Sequence, residues 1–319
     1  MAKPTLTAYE LNTTYSAYPQ EYVNKKIHNQ FYNENVLLNF LRKGKRTMPG
    51  GFDWHVLVQD GLTAVGDWFV RATTITYTAT DPVTKAIYSP VYLREPVVLY
   101  EVDLVRAQGA GAVFSYIEAQ IDSAKARLQR KLTTALFATS NETNGVTSIA
   151  VAIDSTGALG GLNPATAGQD WWASQETASG SFATRGLDDM RDMWLDCTKF
   201  DGAGSPELIL GDDTFVAAYE EAGVGHFDTS DRNVNLGMSG LRYKTAAVDR
   251  DTRCTTGVVY FLNSKCIQLA EVDGKGLALK EWVDGRPAGV MGMINDLVWY
   301  GQTCVFSRAP LGKLTGVTA

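Results

Sequence analysis

The most regular hydrophobic pattern in the chain predicts a long helix over residues 112–138. Its apolar residues step mainly by four and therefore share one face of a helix: Ile117, Ile121, Ala124, Leu128, Leu132 and Leu136. Roughly 25 residues at 1.5 Å each make a rod of about 38 Å. Such a helix is longer than the usual globular helix of about three turns.

A second pattern, over residues 67–105, predicts a long β-hairpin. The outgoing arm "DWFVRATTITYTAT" is rich in Thr, Val, Ile and aromatic residues, and Ile75 and Tyr77 share one of its faces. Asp81 and Pro82 fit the first two positions of a type I turn. The return arm, residues 85–105, contains Tyr92. About a dozen residues per arm at roughly 3.3 Å each predict a hairpin about 40 Å long.

This hairpin needs a covering surface, because a lone two-stranded ribbon is only marginally stable in water. Pro90 and Pro96 each remove a backbone donor, so the return strand is expected to have a free edge. Two interpretations remain open at this point: the ribbon folds back on its own domain, or another chain covers it.

The N-terminal region predicts an extended arm followed by a helix. Residues 1–18 show no persistent period, whereas residues 19–44 place apolar residues near one face and end at Gly44. An arm and one helix form little core of their own, so this chain end is expected to lie on something else.

The second half of the chain reads as a mixture of short helices and strands. A helix is predicted from Leu187 to Cys197, and residues 205–224 predict a buried strand, a turn and a short helix. Four strand-like segments follow between residues 240 and 311. The predicted fold class is therefore α+β.

Two adjacent tryptophans, Trp171 and Trp172, lie at the end of the loop-like stretch "GGLNPATAGQDWWAS". Surface loops rarely contain so much apolar surface. One interpretation packs the two rings inside the subunit, near Met190 and Trp194 of the second helix. The other places them against an adjacent subunit.

Composition narrows the function classes. The chain has 319 residues, of which 45% are hydrophobic and 20% are charged, with a net charge of -6. In proteins that bind nucleic acid, Lys and Arg residues are clustered where they contact the phosphates, and no such cluster of basic residues occurs in this sequence. The four cysteines lie far apart and form no CxxC pair, which argues against a zinc site. Neither a signal peptide nor an apolar run of membrane-spanning length is present.

The search for chemistry finds no catalytic, cofactor-binding or metal-binding signature. The three histidines are far apart, and the phosphate-loop and hydrolase motifs do not occur. Asp212 and Asp213 could bind a hard cation, but they precede a predicted helix, where Asp commonly serves as a cap. We therefore expect a protein that is not an enzyme and has no cofactor, although a soluble α+β enzyme with a site assembled from distant residues stays an alternative.

Four stretches together resemble the major capsid proteins of tailed bacteriophages, which have the Hong Kong 97-type fold. "TATDPVTK" resembles the extended loop of that family, and residues 112–137 resemble its spine helix. "GGLNPATAGQDWWAS" resembles a Gly-Gly segment ending in Trp that recurs in one branch. "SPELILGDDTFVAAYEEAG" resembles the strand, turn and helix that lead into the axial domain.

The resemblance implies a division of the chain into five segments. They are an N-terminal arm and helix (1–48), an extended loop (49–105), a peripheral domain (106–205) that contains the spine helix 112–138, an axial domain (206–290), and a return strand with the C-terminal tail (291–319).

The same resemblance implies a structural function. Many copies would form hexamers and pentamers that tile an icosahedral shell around double-stranded DNA, without specific binding to the DNA and without a membrane. A portal protein and possibly scaffolding and cement or decoration proteins would be partners. The protein would reside in the virion and assemble in the host cytoplasm. The residues expected at subunit interfaces are Ile75, Tyr77, Asp81, Pro82, Lys85, Tyr92, Trp171 and Trp172.

Two features of some family members bear on this chain. Some members crosslink their subunits covalently through a Lys–Asn isopeptide bond. Lys85 lies next to the predicted hairpin tip, the position expected for such a lysine, but no partner Asn or Glu is identified. Other members begin with a scaffolding segment that is later cleaved. In this sequence the predicted arm is not preceded by a long helical segment of that kind, so any scaffolding function is expected to come from a separate protein. An encapsulin-type compartment shell and another virion or tail component are the remaining alternatives.

Overall fold

The computed structural model describes residues 35–44, 46–49, 51–59, 68, 71, 83–106, 110–200, 204–224 and 241–318. The chain divides into two compact units. The first comprises the described residues of Met1–Gly50 together with Pro90–Ser148 and Leu269–Thr303. The second comprises the described residues of Gly51–Ser89 together with Ile149–Gln268 and Cys304–Ala319. Both helices and strands are present in each unit, which confirms the predicted α+β class.

The sheet of the first unit is organised around one long strand. Its strands are β1 (Arg46–Met48), β4 (Val91–Tyr100), β10 (Ile267–Val272), β11 (Ala278–Leu279), β12 (Val283–Asp284) and β13 (Gly292–Val305). The long strand β13 pairs antiparallel with β4 along ten positions, from Gly292 opposite Tyr100 to Gly301 opposite Val91. Strands β10, β11 and β12 also pair with β13, so this strand holds the sheet together.

The predicted long helix is confirmed as α3 (Ala110–Leu136), which packs on strand β4. The observed bounds differ from the predicted ones by two residues at each end. All six apolar residues that predicted its stripe are buried. An ion pair between Arg127 and Glu95 also links the helix to β4. The four-residue spacing of apolar residues therefore identified both the helix and its buried face.

The first helix that the structure describes in this unit begins later than the sequence predicted. Helix α1 (Val36–Lys43) begins after Asn35, which has extended backbone angles and accepts a hydrogen bond from the Leu38 amide at 3.1 Å. Asn35 is therefore an N-cap, and the prediction of one unbroken helix over residues 19–44 was wrong at this position. The end at Gly44 is confirmed. The earlier part of that prediction, including Val23, Ile27 and Phe31, lies outside the described residues.

Two strand predictions in this unit also require correction. The end of the predicted return strand, "EVDLV", forms helix α2 (Glu101–Arg106) instead. The segment "LALKEWV" contributes only the two-residue strands β11 and β12. Both segments contain strand-favouring residues, but strand propensity is decided by pairing and packing partners rather than by the backbone alone.

The second unit contains a six-stranded sheet covered by two helices. Its strand order is β5 (Gln175–Ala178), β14 (Gly312–Thr315), β9 (Val258–Leu262), β6 (Leu208–Gly211), β8 (Ala246–Arg250) and β7 (Arg242–Tyr243). The short helix α4 (Ile149–Ala152) comes first, and helices α5 (Leu187–Thr198) and α6 (Asp213–Val224) follow where the sequence predicted them. Residues of α5, α6 and the central strands form one buried apolar cluster, in which Met190 and Trp194 meet Phe215 and Phe261.

The same unit contains a two-stranded antiparallel ribbon, β2 (Trp54–Gln59) and β3 (Val83–Tyr88). Its register pairs Val83 with Gln59 and Lys85 with Leu57. The sequence predicted that the strand containing Lys85 would return from a tight turn at residues 81–84, with residues 67–80 as the outgoing arm. Trp54–Gln59, the observed partner of β3, was not part of that arm, so the predicted hairpin register was wrong. Residues 72–82 lie outside the described residues.

Candidate assembly surfaces

The two faces of the β2–β3 ribbon differ in burial. One face is formed by Trp54, Val56, Val58, Ala86 and Tyr88, and all five side chains are buried. The opposite face exposes apolar side chains, among them Leu57 at 75% and Ile87 at 38% of their surface. We name this second face the outer ribbon face: His55, Leu57, Gln59, Val83, Lys85 and Ile87. Alternation along each strand produces this division, because successive side chains point to opposite sides.

The inner face of the ribbon has partners within its own subunit. The Ile87 amide donates a hydrogen bond to the Gly160 carbonyl at 2.9 Å, on the edge of β3 that does not face β2. The Tyr88 hydroxyl donates to the Val305 carbonyl at 3.0 Å, and burial raises the pKa of this phenol. The described part of the ribbon therefore has one face buried within its own chain and one face exposed.

The carbonyl that receives the Ile87 amide belongs to a tight Gly-Gly turn. Leu159 and Leu162 exchange both backbone hydrogen bonds, at 2.8 Å and 3.1 Å. Gly160 and Gly161 between them have φ angles of +64° and +82°. Positive φ at both central residues is typical of a type I′ turn, and glycine accepts it without a steric cost. The Gly-Gly pair of the sequence motif is thus explained by backbone conformation.

The two tryptophans at the other end of the motif have different environments. Trp172 is 1% exposed, and its indole Nε1 donates to the Leu159 carbonyl at 3.1 Å. Trp171 is partly exposed, donates to the Gly168 carbonyl at 3.0 Å, and meets Trp172 edge to face with ring centroids 5.6 Å apart. Trp172 thus takes the first of the two alternatives that the sequence left open, packing inside its subunit.

The predicted neighbours of Trp172 were wrong. Met190 and Trp194 belong to the separate cluster between the sheet and helices α5 and α6, and neither tryptophan of the motif is a member of it. Trp172 instead stabilises the Gly-Gly turn by donating a hydrogen bond to the carbonyl of Leu159.

The other residues predicted at interfaces are only partly described. Ile75, Tyr77, Asp81 and Pro82 lie outside the described residues. Lys85 is exposed within β3 and lies opposite Leu57, and Val83 and Thr84 before it also belong to that strand. Tyr92 in β4 is 67% exposed, and its ring meets that of Tyr300 at 5.0 Å between centroids.

A buried arginine that sequence analysis missed organises the loop before the Gly-Gly turn. The Arg308 guanidinium is 1% exposed and donates to the carbonyls of Val151, Ala152 and Gly157 at 3.0, 2.9 and 2.6 Å. Burial lowers the pKa of this guanidinium, and the nearby charge of Asp154 opposes that effect. The local sequence "SRAP" contains no signal for this role, because the three carbonyls come from about 150 residues earlier.

The described residues show what Asp212 does and how the possible metal ligands are arranged. The Asp212 carboxylate accepts a hydrogen bond from the Phe215 amide at 3.0 Å, so it caps α6 as expected. Within the same described ranges, no group of three His, Cys, Asp or Glu side chains is arranged to hold a metal ion. No helix of the described chain is both long and apolar enough to cross a bilayer.

All four cysteines are buried free thiols. Burial raises the pKa of Cys197 and of Cys254 to about 12 and that of Cys266 to about 11. Because the thiolate is the reactive form, we expect negligible labelling of the native protein by iodoacetamide at pH 8 and labelling of all four thiols in denaturant. Mass spectrometry counts the labels, and rapid labelling of Cys197, Cys254 or Cys266 in the native protein would contradict the raised pKa values.

The raised pKa values also make stability depend on pH. In the unfolded chain these thiols ionise with the ordinary pKa of cysteine, so their contribution to stability is complete below about pH 8.5 and is lost as the pH rises toward their pKa values in the folded protein.

Comparisons with known proteins find structural similarity without a match in sequence. No family model matches the chain, and no curated protein matches it. Among solved structures, a subunit of the cyanophage A-1(L) capsid superposes with a TM-score of 0.64 at 15% identity, covering 90% of this chain and 95% of that chain. The capsid of a native GTA particle gives a TM-score of 0.61 at 14% identity, covering 88% of this chain and 90% of that chain. The chain has the Hong Kong 97-type fold.

The Hong Kong 97-type fold is shared here without similarity of sequence. The SrpI encapsulin of Synechococcus elongatus PCC 7942 also matches, with a TM-score of 0.52 at 10% identity over 100% of this chain and 92% of that chain. At this level of identity few side chains are shared, so the common fold rests on patterns of burial and pairing. Function must then be argued from surfaces, since one fold supports several functions.

Proposed function

We propose that this protein is the major capsid protein of a tailed bacteriophage. Many copies assemble as hexamers and pentamers into an icosahedral head shell that encloses double-stranded DNA. The observation that carries the proposal is a fold likeness to phage capsid subunits, which for the cyanophage A-1(L) capsid covers 90% of this chain and 95% of that chain. The five-segment division made from the sequence, with α3 as the spine helix and the β2–β3 ribbon in the extended loop, belongs to this proposal.

The proposed mechanism is burial of surface rather than catalysis. The outer ribbon face exposes Leu57, Val83 and Ile87. Covering these side chains by a neighbouring subunit removes apolar surface from water and so lowers the free energy of the assembly. Interfaces of obligate assemblies commonly bury about 2,000 Å² or more. At about 25 cal/mol per Å² the gross gain is tens of kcal/mol before association and ordering costs are subtracted.

The remaining interface residues are proposed on the same basis. Tyr92 and the partly exposed Trp171 offer aromatic surface, which is enriched at interfaces. Lys85, Ile75, Tyr77, Asp81 and Pro82 belong to the extended loop segment and are proposed to contact a neighbouring subunit. Trp172 is proposed to act only indirectly, because its ring is buried in its own subunit.

The charge of the chain is compatible with a container for DNA. Its net charge is -6, and basic side chains that hold phosphates would bind DNA by releasing counterions. A shell with an acidic balance holds its genome by enclosure and releases it readily. The protein is proposed to reside in the virion after assembly in the host cytoplasm, with a portal protein and, where used, scaffolding or decoration proteins as partners. Closure of the shell requires fivefold rings among the sixfold rings.

Electron microscopy and analytical ultracentrifugation of the purified protein test the function directly. We expect closed shells, or isolated hexamers and pentamers that close into shells on concentration or on addition of a scaffolding protein. A compact monomer at every concentration, with or without the other head proteins, would contradict the proposal.

The outer ribbon face supplies a more specific test. Leu57→Glu is expected to raise the protein concentration needed for assembly by about 10- to 100-fold, which corresponds to the roughly 1.5–3 kcal/mol of burying a leucine side chain. Its thermal unfolding as a protomer should stay unchanged, because Leu57 is 75% exposed. Gln59→Glu adds the same charge to the same face and serves as the control. Light scattering during assembly measures both, and equal behaviour of the two variants would remove Leu57 from the interface.

An encapsulin-type compartment is the second candidate, favoured by the likeness to the SrpI encapsulin over the full length of this chain. The contents of particles from the native source separate the two functions. Packaged double-stranded DNA supports the capsid, whereas an enclosed enzyme without DNA supports the compartment.

A further inference from the structure

We propose that the Leu159–Leu162 turn is a latch that sets the direction in which the ribbon leaves its own subunit. The ribbon latch consists of the Gly160 carbonyl and backbone on one side and of Ala86 and the Ile87 amide on the other. This inference rests on the proposed function for its consequence, since direction matters only to a protein that places its ribbon on a neighbour. The latch contacts themselves are features of the single subunit.

The first observation is the hydrogen bond from the Ile87 amide to the Gly160 carbonyl at 2.9 Å. A ribbon of two strands has two edges, and this bond ties one edge of β3 to the body of its own unit. Because β2 occupies the other edge, the turn acts at this point as a third element beside the ribbon. Two-stranded ribbons gain independent stability when another element packs against them.

The second observation is the close approach of the turn to the strand. A Cβ atom on Gly160 would lie 2.9 Å from the Cβ of Ala86 and 3.4 Å from the Ile87 nitrogen. Only a glycine at this position lets the turn reach the strand. Gly161 has a similar positive φ, yet a Cβ there would have no atom within 4 Å. The two glycines therefore share a backbone requirement, and only Gly160 has a packing requirement.

The third observation is that hydrogen bonds within its own unit fix the turn itself. The Trp172 indole donates to the Leu159 carbonyl at 3.1 Å, and Leu159 and Leu162 close the turn with two backbone bonds. Tyr88, next to Ile87 on β3, is fixed separately by its bond to the Val305 carbonyl. The base of the ribbon is thus attached to its own unit at two adjacent residues, and neither attachment depends on a neighbouring subunit.

The length of the ribbon makes this attachment consequential. Six residues at about 3.4 Å each span roughly 20 Å, so a tilt of about 5° at the base moves the far end of the described strands by roughly 1.7 Å. A gap of 0.5–1 Å already removes a quarter to a half of the dispersion energy of a contact. A small change at the latch is therefore sufficient to misalign the outer ribbon face with its proposed partner.

The test compares Gly160→Ala with Gly161→Ala, first on the unassembled subunit. Hydrogen exchange followed by mass spectrometry or NMR reports the protection of the Ile87 amide. We expect Gly160→Ala to lower this protection at least about tenfold relative to Gly161→Ala, the factor expected for loss of one hydrogen bond. Equal protection in the two variants would overturn the latch. Ala86→Val approaches the same contact from the ribbon side without altering the turn, and it replaces Gly160→Ala if that variant does not fold.

The second arm of the test is the assembly product, observed by electron microscopy. Gly160→Ala and Ala86→Val are expected to yield fewer closed shells and more open or irregular particles than Gly161→Ala at equal subunit concentration. Normal shells from a variant that has lost protection at Ile87 would show that the latch does not direct assembly. If the wild-type protein forms no shells at all, the proposed function fails, while the exchange result still decides whether the latch exists.

Discussion

Replacing Trp172 by alanine is expected to lower the free energy of unfolding by about 3–5 kcal/mol, the range for removing a large aromatic side chain from a core. The ring is 1% exposed, and its Nε1 holds the Leu159 carbonyl at 3.1 Å. The substitution therefore creates a cavity and removes one of the two donors of the Leu159 carbonyl, which keeps only its bond from the Leu162 amide. Urea unfolding of the unassembled subunit, followed by circular dichroism, measures the loss.

Trp171→Ala is the matched control for this prediction. Its ring is partly exposed and contributes an edge-to-face contact to Trp172, which is worth about 0.5–1.5 kcal/mol. We expect a loss within that range and a much larger loss for Trp172→Ala. Similar losses for the two variants would show that the pair acts as one unit, and an unchanged stability of the double variant would contradict the packing described for both.

The parts of the fold that could be predicted from the sequence are those whose signal is local. The stripe from Ile117 to Leu136 identified α3 because each buried residue lies three or four positions from the next, within one element. Helix α6 was predicted for the same reason, since the Asp212 side chain that caps it and the apolar residues that bury it are neighbours in the chain.

The ribbon register could not be predicted because its signal is not local. The Asp81-Pro82 pair has the preferences of a tight turn, and it suggested pairing between nearby residues. The observed partner of Lys85 is Leu57, which lies 28 residues earlier. Alternation in "WHVLVQ" is compatible with a strand but does not specify which strand it pairs with. Pairing was decided by burial of Trp54, Val56 and Val58 on one face.

The candidate site was likewise only partly predictable. The motif containing Gly160, Gly161 and Trp172 was recognised as unusual, but its contacts with Ala86 and Ile87 join segments more than 70 residues apart. Exposed interface residues of a homo-oligomer resemble ordinary surface in sequence, because the partner that buries them is another copy. The structure of a single subunit shows which apolar side chains lack cover, and Leu57 stands out only there.

Arg308 illustrates the same limit, and replacing it produces the second large effect. Arg308→Met is expected to lower the free energy of unfolding by about 3–5 kcal/mol, because three hydrogen bonds from a charged group, each worth about 1.5–3 kcal/mol, are lost and removal of the buried charge offsets part of that loss. The methionine fills similar volume but donates no hydrogen bond, so the carbonyls of Val151, Ala152 and Gly157 lose the bonds that Arg308 donates to them. Each unsatisfied buried acceptor costs about 1–3 kcal/mol, partly offset because the buried charge is also removed.

Two further variants separate charge from geometry at this position. Arg308→Lys keeps the positive charge near Asp154 but cannot serve three carbonyls from a planar fork, so it is expected to recover less than half of the loss. Arg94→Met removes an arginine that is 76% exposed and lies 3.8 Å from Asp296, and it should cost less than about 0.5 kcal/mol. Urea unfolding of the three proteins provides the comparison. If Arg308→Met were no more destabilising than Arg94→Met, the buried guanidinium would not hold the loop that leads into the Gly-Gly turn, and the turn would have to be fixed by Trp172 alone.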